Sequence, residues 1–333
     1  MIVGLADQPD VVAVIPTLGA NLARLRECLG ALMRSETTRR LALIVVWNDP
    51  RQPMPEFESV TVLEPGMNLG FPGALNHARR RIDAEFLWVM QDDVRVEPDC
   101  LEQLWSRISA TDAPAVVAPV YLDSDGLIPI NSRAGIVGPG GEMESWYPFE
   151  STAPENFDRS QRLDWVASSG ALARLSAWDQ VGGWDPDFYP LLWSDVDFGF
   201  RLTKEGYTVE LEPHARIEHD RNGSTPGLLA HHLFARNGRR FREKNFTNSI
   251  GDVDVTAGDR TTADDFEAGV VGNRGVDEAQ ARQVARAASL ALLDFATYAS
   301  AAWDEQEREI RLFKFTRPLR RLIRRVLRMN RAV

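Results

Sequence analysis

Short runs of consecutive apolar residues alternate, in the first third of this chain, with segments whose apolar residues recur every three or four positions. Val11–Ile15 is the first run and ends at Pro16 and Gly19. Leu41–Trp47 is the second and stops at Asn48-Asp49-Pro50. Val60–Leu63, Phe86–Met90 and Ala115–Tyr121 follow. Runs that stay apolar on successive positions read as strands buried on both faces. Between the first two, Asn21 stands as a helix cap, and Leu22, Leu25, Cys28, Leu29 and Leu32 share one helical face. Pro72 is well placed to open a helix running through Arg81, and Leu101–Ile108 lies on another. This alternation predicts an α/β fold with a mostly parallel, Rossmann-like central sheet and helices on both faces.

The pattern changes after Tyr121. Ile136–Met143 is rich in glycine but fits neither phosphate-loop spacing, and it reads as a mobile surface loop. Trp165–Leu175 reads as one strand near the sheet centre, and Gly182-Gly183-Trp184-Asp185 as a tight turn. Ser194-Asp195-Val196-Asp197 has the form of a capping box, opening a helix that Gly206 stops near Lys204. Thr208–Leu211 and Ala215–His219 read as further strand segments, and Leu228–Lys244 as a basic helix. Gly251–Asp265 is polar and acidic, as a linker or exposed loop would be. Val276–Leu312 carries helical periodicity through Val284, Ala288, Leu292 and Phe295.

The chain is long enough for one large α/β domain with an appendage, at 333 residues. A net charge of −10 argues against a general nucleic-acid binder. That charge is uneven: from Arg311 onward there are Arg311, Lys314, Arg317, Arg320, Arg321, Arg324, Arg325, Arg328 and Arg331, and no acid. Cys28 and Cys100 belong to no CxxC or Cys/His cluster, so a disulfide framework or zinc site is not indicated and a reducing compartment fits. MIVGLADQPD lacks the form of a signal peptide. The longest apolar stretch, Ala287–Trp303, is interrupted by Asp294 and reads as a packed helix rather than a span. A cytoplasmic protein is expected.

Two acidic segments carry the chemistry. The strand Phe86–Met90 delivers Gln91, Asp92 and Asp93 at its carboxyl end, where α/β sheets bind ligands. Carboxylates there suit a divalent cation and a phosphorylated ligand. LLWSDVDFGFRL presents Asp195 and Asp197 near a helix start, where a carboxylate can accept a proton. The pairing suggests transfer of a group away from a metal-bound diphosphate.

The pieces VVAVIPTLG, IVVWNDP, MNLGFPGALNHA, QDDV, WVASSGALARLSAWDQVGGWDPDFYPLLWSDVDFGFRL and IEHDRNGS occur in order between residues 11 and 245. In that order they resemble the family 2 glycosyltransferases of GT-A fold, rhamnosyltransferase-like and galactofuranosyltransferase-like members above all. The resemblance implies an inverting transfer of a sugar from a nucleoside-diphosphate sugar to an acceptor hydroxyl, with Mn2+ or Mg2+ as cofactor. It implies Asp195 as catalytic base and Asp93 and His219 as metal ligands. It also implies a donor site of Thr17, Asn48, Asp49, Asn68, Gly70, Asn76, Gln91 and Asp92. Gln91 stands where the family often has the first acid of its D-x-D motif. Trp47, where the family often has an acid, is equally suited to stacking on a base and to ending a core strand. Trp184, Tyr189 and Trp193 flank the expected acceptor side.

The expected organisation is a catalytic domain at 1–245, with a nucleotide half to about 122 and an acceptor half beyond it. A linker at 246–275 and a helical extension with a basic amphipathic tail at 276–333 follow. Expected partners are the donor, a glycan or lipid-linked acceptor of the cell envelope, an anionic membrane surface reached by the tail, and a second copy of the chain, with no nucleic acid. Two rivals stand beside this reading. A nucleotidyltransferase would want a basic glycine-rich loop after the first strand, and PTLGAN is not one. A non-catalytic binding or scaffold protein that lost activity at Gln91 is opposed by Asp93, Asp195 and His219.

Overall fold

The structure is a computed structural model that describes residues 8–122, 134–145, 153–156, 161–219 and 227–246. The first strands and helices alternate: β1 (Val11–Thr17), α1 (Leu22–Met33), β2 (Leu41–Trp47), β3 (Thr61–Leu63), α2 (Gly70–Arg79), β4 (Phe86–Val89), β5 (Val94–Val96), α3 (Cys100–Ile108) and β6 (Val116–Tyr121). Then come β7 (Ala134–Val137), β8 (Met143–Ser145), β9 (Trp165–Val166), β10 (Leu172–Arg174), α4 (Leu175–Val181), α5 (Ser194–Lys204), β11 (Val209–His219) and α6 (Gly227–Phe246). An eight-stranded sheet has the order β3-β2-β1-β4-β10-β6-β11-β5. Strands β1 to β4 run parallel, as do β6 and β11, while β10 and β5 run against their neighbours.

Every residue of β1 is buried. Its side chains alternate between two cores: Val12 and Val14 enter one, Val11, Ala13 and Ile15 the other. Strand β4 divides likewise, with Leu87 and Val89 on one face and Phe86 and Trp88 on the other. Helices α1 and α3 cover the second core through Leu25, Leu29, Leu32, Leu101 and Leu104. Helices α2, α4 and α5 cover the first through Leu75, Ala78, Trp178, Phe198 and Leu202. Two-sided burial is what made these strands read as continuous apolar runs. A smaller cluster of Trp165, Phe188, Trp193, Val196 and Phe241 seats α6.

Several expectations are corrected. The glycine-rich Ile136–Met143 is not a free loop: its ends belong to β7 and β8, which form a three-stranded sheet with β9. Gly141, at φ 83, turns that hairpin against Arg242 and Phe246 of α6, where a Cβ would lie 2.7 Å from Arg242 Cγ. Trp165–Leu175 is two strands rather than one. The chain breaks at Ser168-Ser169-Gly170, with Gly170 at φ 79 and its Cβ position 2.6 Å from Pro119 Cγ. The first half joins the small sheet, and β10 inserts antiparallel into the centre of the large one. The segments read as Thr208–Leu211 and Ala215–His219 fall on one strand, β11, which begins at Val209 and has a register shift between Glu212 and Arg216. The short β5 and α4 carried too little periodicity to be read. The linker expected at 246–275, the extension at 276–333 and the basic tail lie outside the described residues, apart from Phe246, the last residue of α6.

Candidate active site

Parallel strands end on the same edge of a sheet, and here those ends open into a cleft of about 380 Å³. Thr17 at the end of β1, Asn48 after β2, and Gln91, Asp92 and Asp93 after β4 all line it. Asn68 and Gly70 contribute from the start of α2, and Ser168 and Ser169 from the break before β10. Pro190, Leu191, Leu192, Ser194 and Asp195 form part of the wall, and His219 and Tyr121 complete the lining.

Strand pairing brings the acidic motif to the histidine. In the antiparallel β11–β5 ladder His219 stands opposite Val94, the residue after Asp93. His219 Nε2 lies 3.5 Å from Asp93 Oδ1 and 3.0 Å from Gln91 Oε1. The imidazole stacks on Tyr121, with ring centroids 5.4 Å apart and planes 8° apart. Asp92 accepts a hydrogen bond from Thr17 Oγ1, which ties β1 to the motif. Burial pushes the Asp92 carboxyl above its ordinary range, against the hydrogen bond from Thr17, and the neighbouring charge of Asp93 adds to the rise.

Asp93 and His219 offer one carboxylate and one imidazole, an oxygen and nitrogen pair that suits manganese better than magnesium, a hard cation that takes oxygen ligands. Among the described residues no group of three or more His, Cys, Asp or Glu is gathered for an ion. A cation here would complete its shell with phosphate oxygens and water, the usual mode for magnesium at a phosphate site.

The approach to Asp195 is unusual. Leu192 and Trp193 both sit at positive φ, 73° and 65°. For residues with a side chain the left-handed region costs on the order of 1–2 kcal/mol each. Trp193 holds the N-cap position of α5 without a side-chain cap bond. The expected capping box is therefore absent: Ser194 is already helical and buried, and Asp197 is turned inward. Asp197 is 0% exposed and receives Arg201 Nε at 2.7 Å and Lys244 Nζ at 2.7 Å. A fully enclosed, doubly paired carboxylate is an ionic pin between α5 and α6, not a group facing substrate. Asp195 instead lines the cleft, its Oδ1 accepting from Val196 N at 3.0 Å.

Two expected donor-site residues lie elsewhere. Asn76 is buried in α2, donating to Trp184 O at 2.6 Å and accepting from Trp184 N at 3.1 Å. It fastens α2 to the Gly183 turn and does not line the cleft. Asp49 also falls outside the lining. It is paired with Arg51, whose hydrogen bond holds its carboxyl below the ordinary range despite partial burial. Asn48 does both kinds of work, lining the cleft while its amide bridges Gly70 O at 3.0 Å and Leu69 N at 3.3 Å. Trp47 resolves to core, 2% exposed and bonded to Gln52 O. Trp184, Tyr189 and Trp193 are likewise buried. Tyr121, Ser168 and Ser169 were missed: the tyrosine closes an apolar run, and the serines sit inside what read as one strand.

Residues 12–168 match the family described as Glycosyl transferase family 2. This chain carries a family 2 glycosyltransferase domain. The glycosyltransferase is 28% identical over 260 residues to the N-acetylglucosaminyl-diphospho-decaprenol L-rhamnosyltransferase of Mycobacterium tuberculosis, covering 69% of this chain and 82% of that one. It is 25% identical over 232 residues to the O-antigen biosynthesis protein RfbC of Myxococcus xanthus, covering 67% of this chain and 17% of that protein. Among solved structures it resembles the mannosyltransferase PcManGT from Pyrobaculum calidifontis in complex with GDP-Man and Mn2+. The TM-score is 0.51 at 14% identity, over 93% of this chain and 88% of that one. GalNAc-T7 with UDP, GalNAc and Mn2+ gives a TM-score of 0.51 at 12% identity, over 79% of this chain and 55% of that one. Both likenesses identify the fold of the glycosyltransferase as GT-A.

Proposed function

We propose that the glycosyltransferase is an inverting, divalent-cation-dependent enzyme that moves a sugar from a nucleoside-diphosphate sugar to a hydroxyl of a lipid-linked glycan acceptor in cell-wall glycan synthesis. The observation that carries this reading is a single cleft lined by Asp93 and His219 at the sheet edge and by Asp195 at the start of α5. The lipid-linked acceptor and a deoxyhexose donor such as rhamnose are supported by the name of the mycobacterial relative. Mn2+ is supported by the two solved structures, which hold it beside nucleotides.

In this reading Asn48, Asn68 and the backbone at Gly70 bind the donor, and Thr17 with Asp92 fixes the edge of β1 against the acidic motif. Asp93 and His219 would hold the cation, which supplies Lewis-acid stabilisation of the diphosphate leaving group. Asp195 accepts the proton of the acceptor hydroxyl as that oxygen attacks the anomeric carbon opposite the diphosphate. Ser168 and Ser169, buried residues that line the same cleft, offer hydroxyls to the sugar being transferred.

A thermal-shift panel of UDP, GDP, CDP and dTDP and their sugars, each with and without Mn2+, tests the reading. Binding to the folded state raises the melting temperature by an amount that follows RT ln(1 + [L]/Kd). A shift with one nucleoside diphosphate that requires Mn2+, followed by transfer or hydrolysis of its sugar, is the expected result. No Mn2+-dependent shift across the panel would overturn it.

A further inference from the structure

Helix α6 lies beyond the residues matched to the family, yet it holds the wall of the cleft. Asn237, on this helix, is 0% exposed. Its two Nδ2 N–H groups are shared among three carbonyls, Leu191 O at 2.9 Å, Leu192 O at 3.0 Å and the more distant Phe188 O at 3.3 Å. Arg236 Nη1 donates to Tyr189 O at 2.9 Å, and Arg240 Nη1 to Asp187 O at 2.6 Å. The one remaining carbonyl of this strap, Pro190 O, accepts from Phe71 N of α2 at 2.7 Å. Each carbonyl from Asp187 to Leu192 thus receives a donor from α6 or α2.

The strap needs this outside support. It ends in the two left-handed residues, Leu192 and Trp193, immediately before Ser194 and Asp195. Such conformations persist only where the surroundings over-determine them. Asparagine suits the task because one nitrogen carries two N–H groups that meet converging carbonyl oxygens. Aspartate has the same shape but would aim oxygens at oxygens, and leucine has a similar volume with no donor. Asn237 is not among the residues that line the cleft.

We propose that Asn237 is a positioning residue. Its buried amide holds the strap in the left-handed turn that directs the start of α5, and with it the Asp195 carboxylate, into the cleft. The inference rests on the reading of Asp195 as the base. Asn237 acts through backbone that forms the cleft wall beside Asp195; the donor side keeps its own anchors, the bond from Phe71 N of α2 to Pro190 O and the strand ends on their own ladders. Its loss therefore belongs in turnover and not in donor affinity.

The test is kinetic, on the full chain. Asn237→Leu is expected to lower kcat on the order of 10- to 100-fold, the scale of a small misplacement of a reacting group. KM for the donor sugar nucleotide should stay within about 3-fold, as should Mn2+-dependent binding of the nucleoside diphosphate that stabilises the wild-type chain in the thermal-shift panel. If Asn237→Leu is not recovered folded, Asn237→Ser, smaller and with one hydroxyl donor, is held to the same split. An unchanged kcat, or equal losses in kcat and in nucleotide binding, overturns the proposal. Asp195→Asn is measured alongside. If it keeps wild-type turnover, the base assignment fails and this inference with it. If it is inactive while the Asn237 variant keeps its kcat, the base assignment stands and only the role of Asn237 falls.

Discussion

Asp195 sits in the first turn of α5, where a carboxylate gains roughly 0.5 kcal/mol from the helix dipole. That is smaller than the on the order of 1–2 kcal/mol each at Leu192 and Trp193, so helix stability alone does not account for the strained approach. Asp195→Asn is expected to keep the fold and donor binding while lowering turnover by about 100-fold or more. A variant with near wild-type turnover, where chemistry limits the rate, removes Asp195 from the role of base. Asp93→Ala is expected to weaken Mn2+-dependent nucleotide binding, and exhaustive chelation to mimic it, because the leaving diphosphate loses its clamp. Activity that survives both would mean a metal-independent enzyme. Asp185 reports on the pin behind the site. Burial pushes its carboxyl up, but the Lys244 charge and hydrogen bond outweigh that and hold it below the ordinary value of 3.8. A carboxyl with a lowered folded pKa contributes stability that is present above the unfolded value and lost as pH falls through the folded one. The melting-temperature gap between wild type and Asp185→Asn should therefore be full at pH 5–7 and shrink as pH drops below 3.8. A gap independent of pH would show that the Lys244 pairing is not its source.

At the scale of elements, the site depends on how α2 meets the strap. Gly70 opens α2 at φ +65, and a Cβ there would lie 2.7 Å from Tyr189 Cδ2 and 2.9 Å from Pro190 Cα. Gly66, at φ +78, has nothing within 4 Å of its Cβ position. Both substitutions to alanine carry the left-handed penalty, on the order of 1–2 kcal/mol. Only Gly70→Ala adds a backbone clash. It should melt lower than Gly66→Ala and lose turnover as well, since the displaced strap borders Asp195. Equal melting temperatures would show that the strap yields freely. The same scale explains what the sequence hid. Helix α4 and strand β5 are too short for periodicity to declare them, and the break at Gly170 is set by its close approach to Pro119.

At the scale of the whole molecule, no helix among the described residues is long and apolar enough to cross a membrane. The basic tail lies outside the described residues, and its sequence carries a prediction of its own. Leu319, Leu322, Ile323, Val326 and Leu327 recur at helical spacing among Arg320, Arg321, Arg324, Arg325 and Arg328. If Leu319–Met329 is helical, that pattern would let it bury its apolar side in an anionic surface, with about 1 kcal/mol for each basic residue near it. Repulsion from the chain's distant acids is screened beyond about 8–10 Å. The full chain should float with anionic vesicles at low salt, and a chain ending at Glu309 should not. Equal flotation of the two would remove the tail from membrane attachment.

The sequence by itself determined the layered sheet, because strands buried on both faces leave continuous apolar runs that local pattern displays. It also determined the cleft's acidic edge, since Gln91, Asp92 and Asp93 follow directly from where β4 must end. Tertiary structure decided everything that depends on residues far apart in the chain. It brought His219 beside Asp93 through the antiparallel register of β11 on β5. It assigned the paired acids Asp195 and Asp197 opposite fates, cleft and buried pin, because Asp197 turns to Arg201 and to Lys244 of α6 while Asp195 lines the cleft. It withdrew Asn76 from the donor site by giving its amide two backbone partners across 108 residues. Periodicity records which face of an element is buried. It holds no information on which buried polar group finds its partner in another element, and that pairing fixed the site.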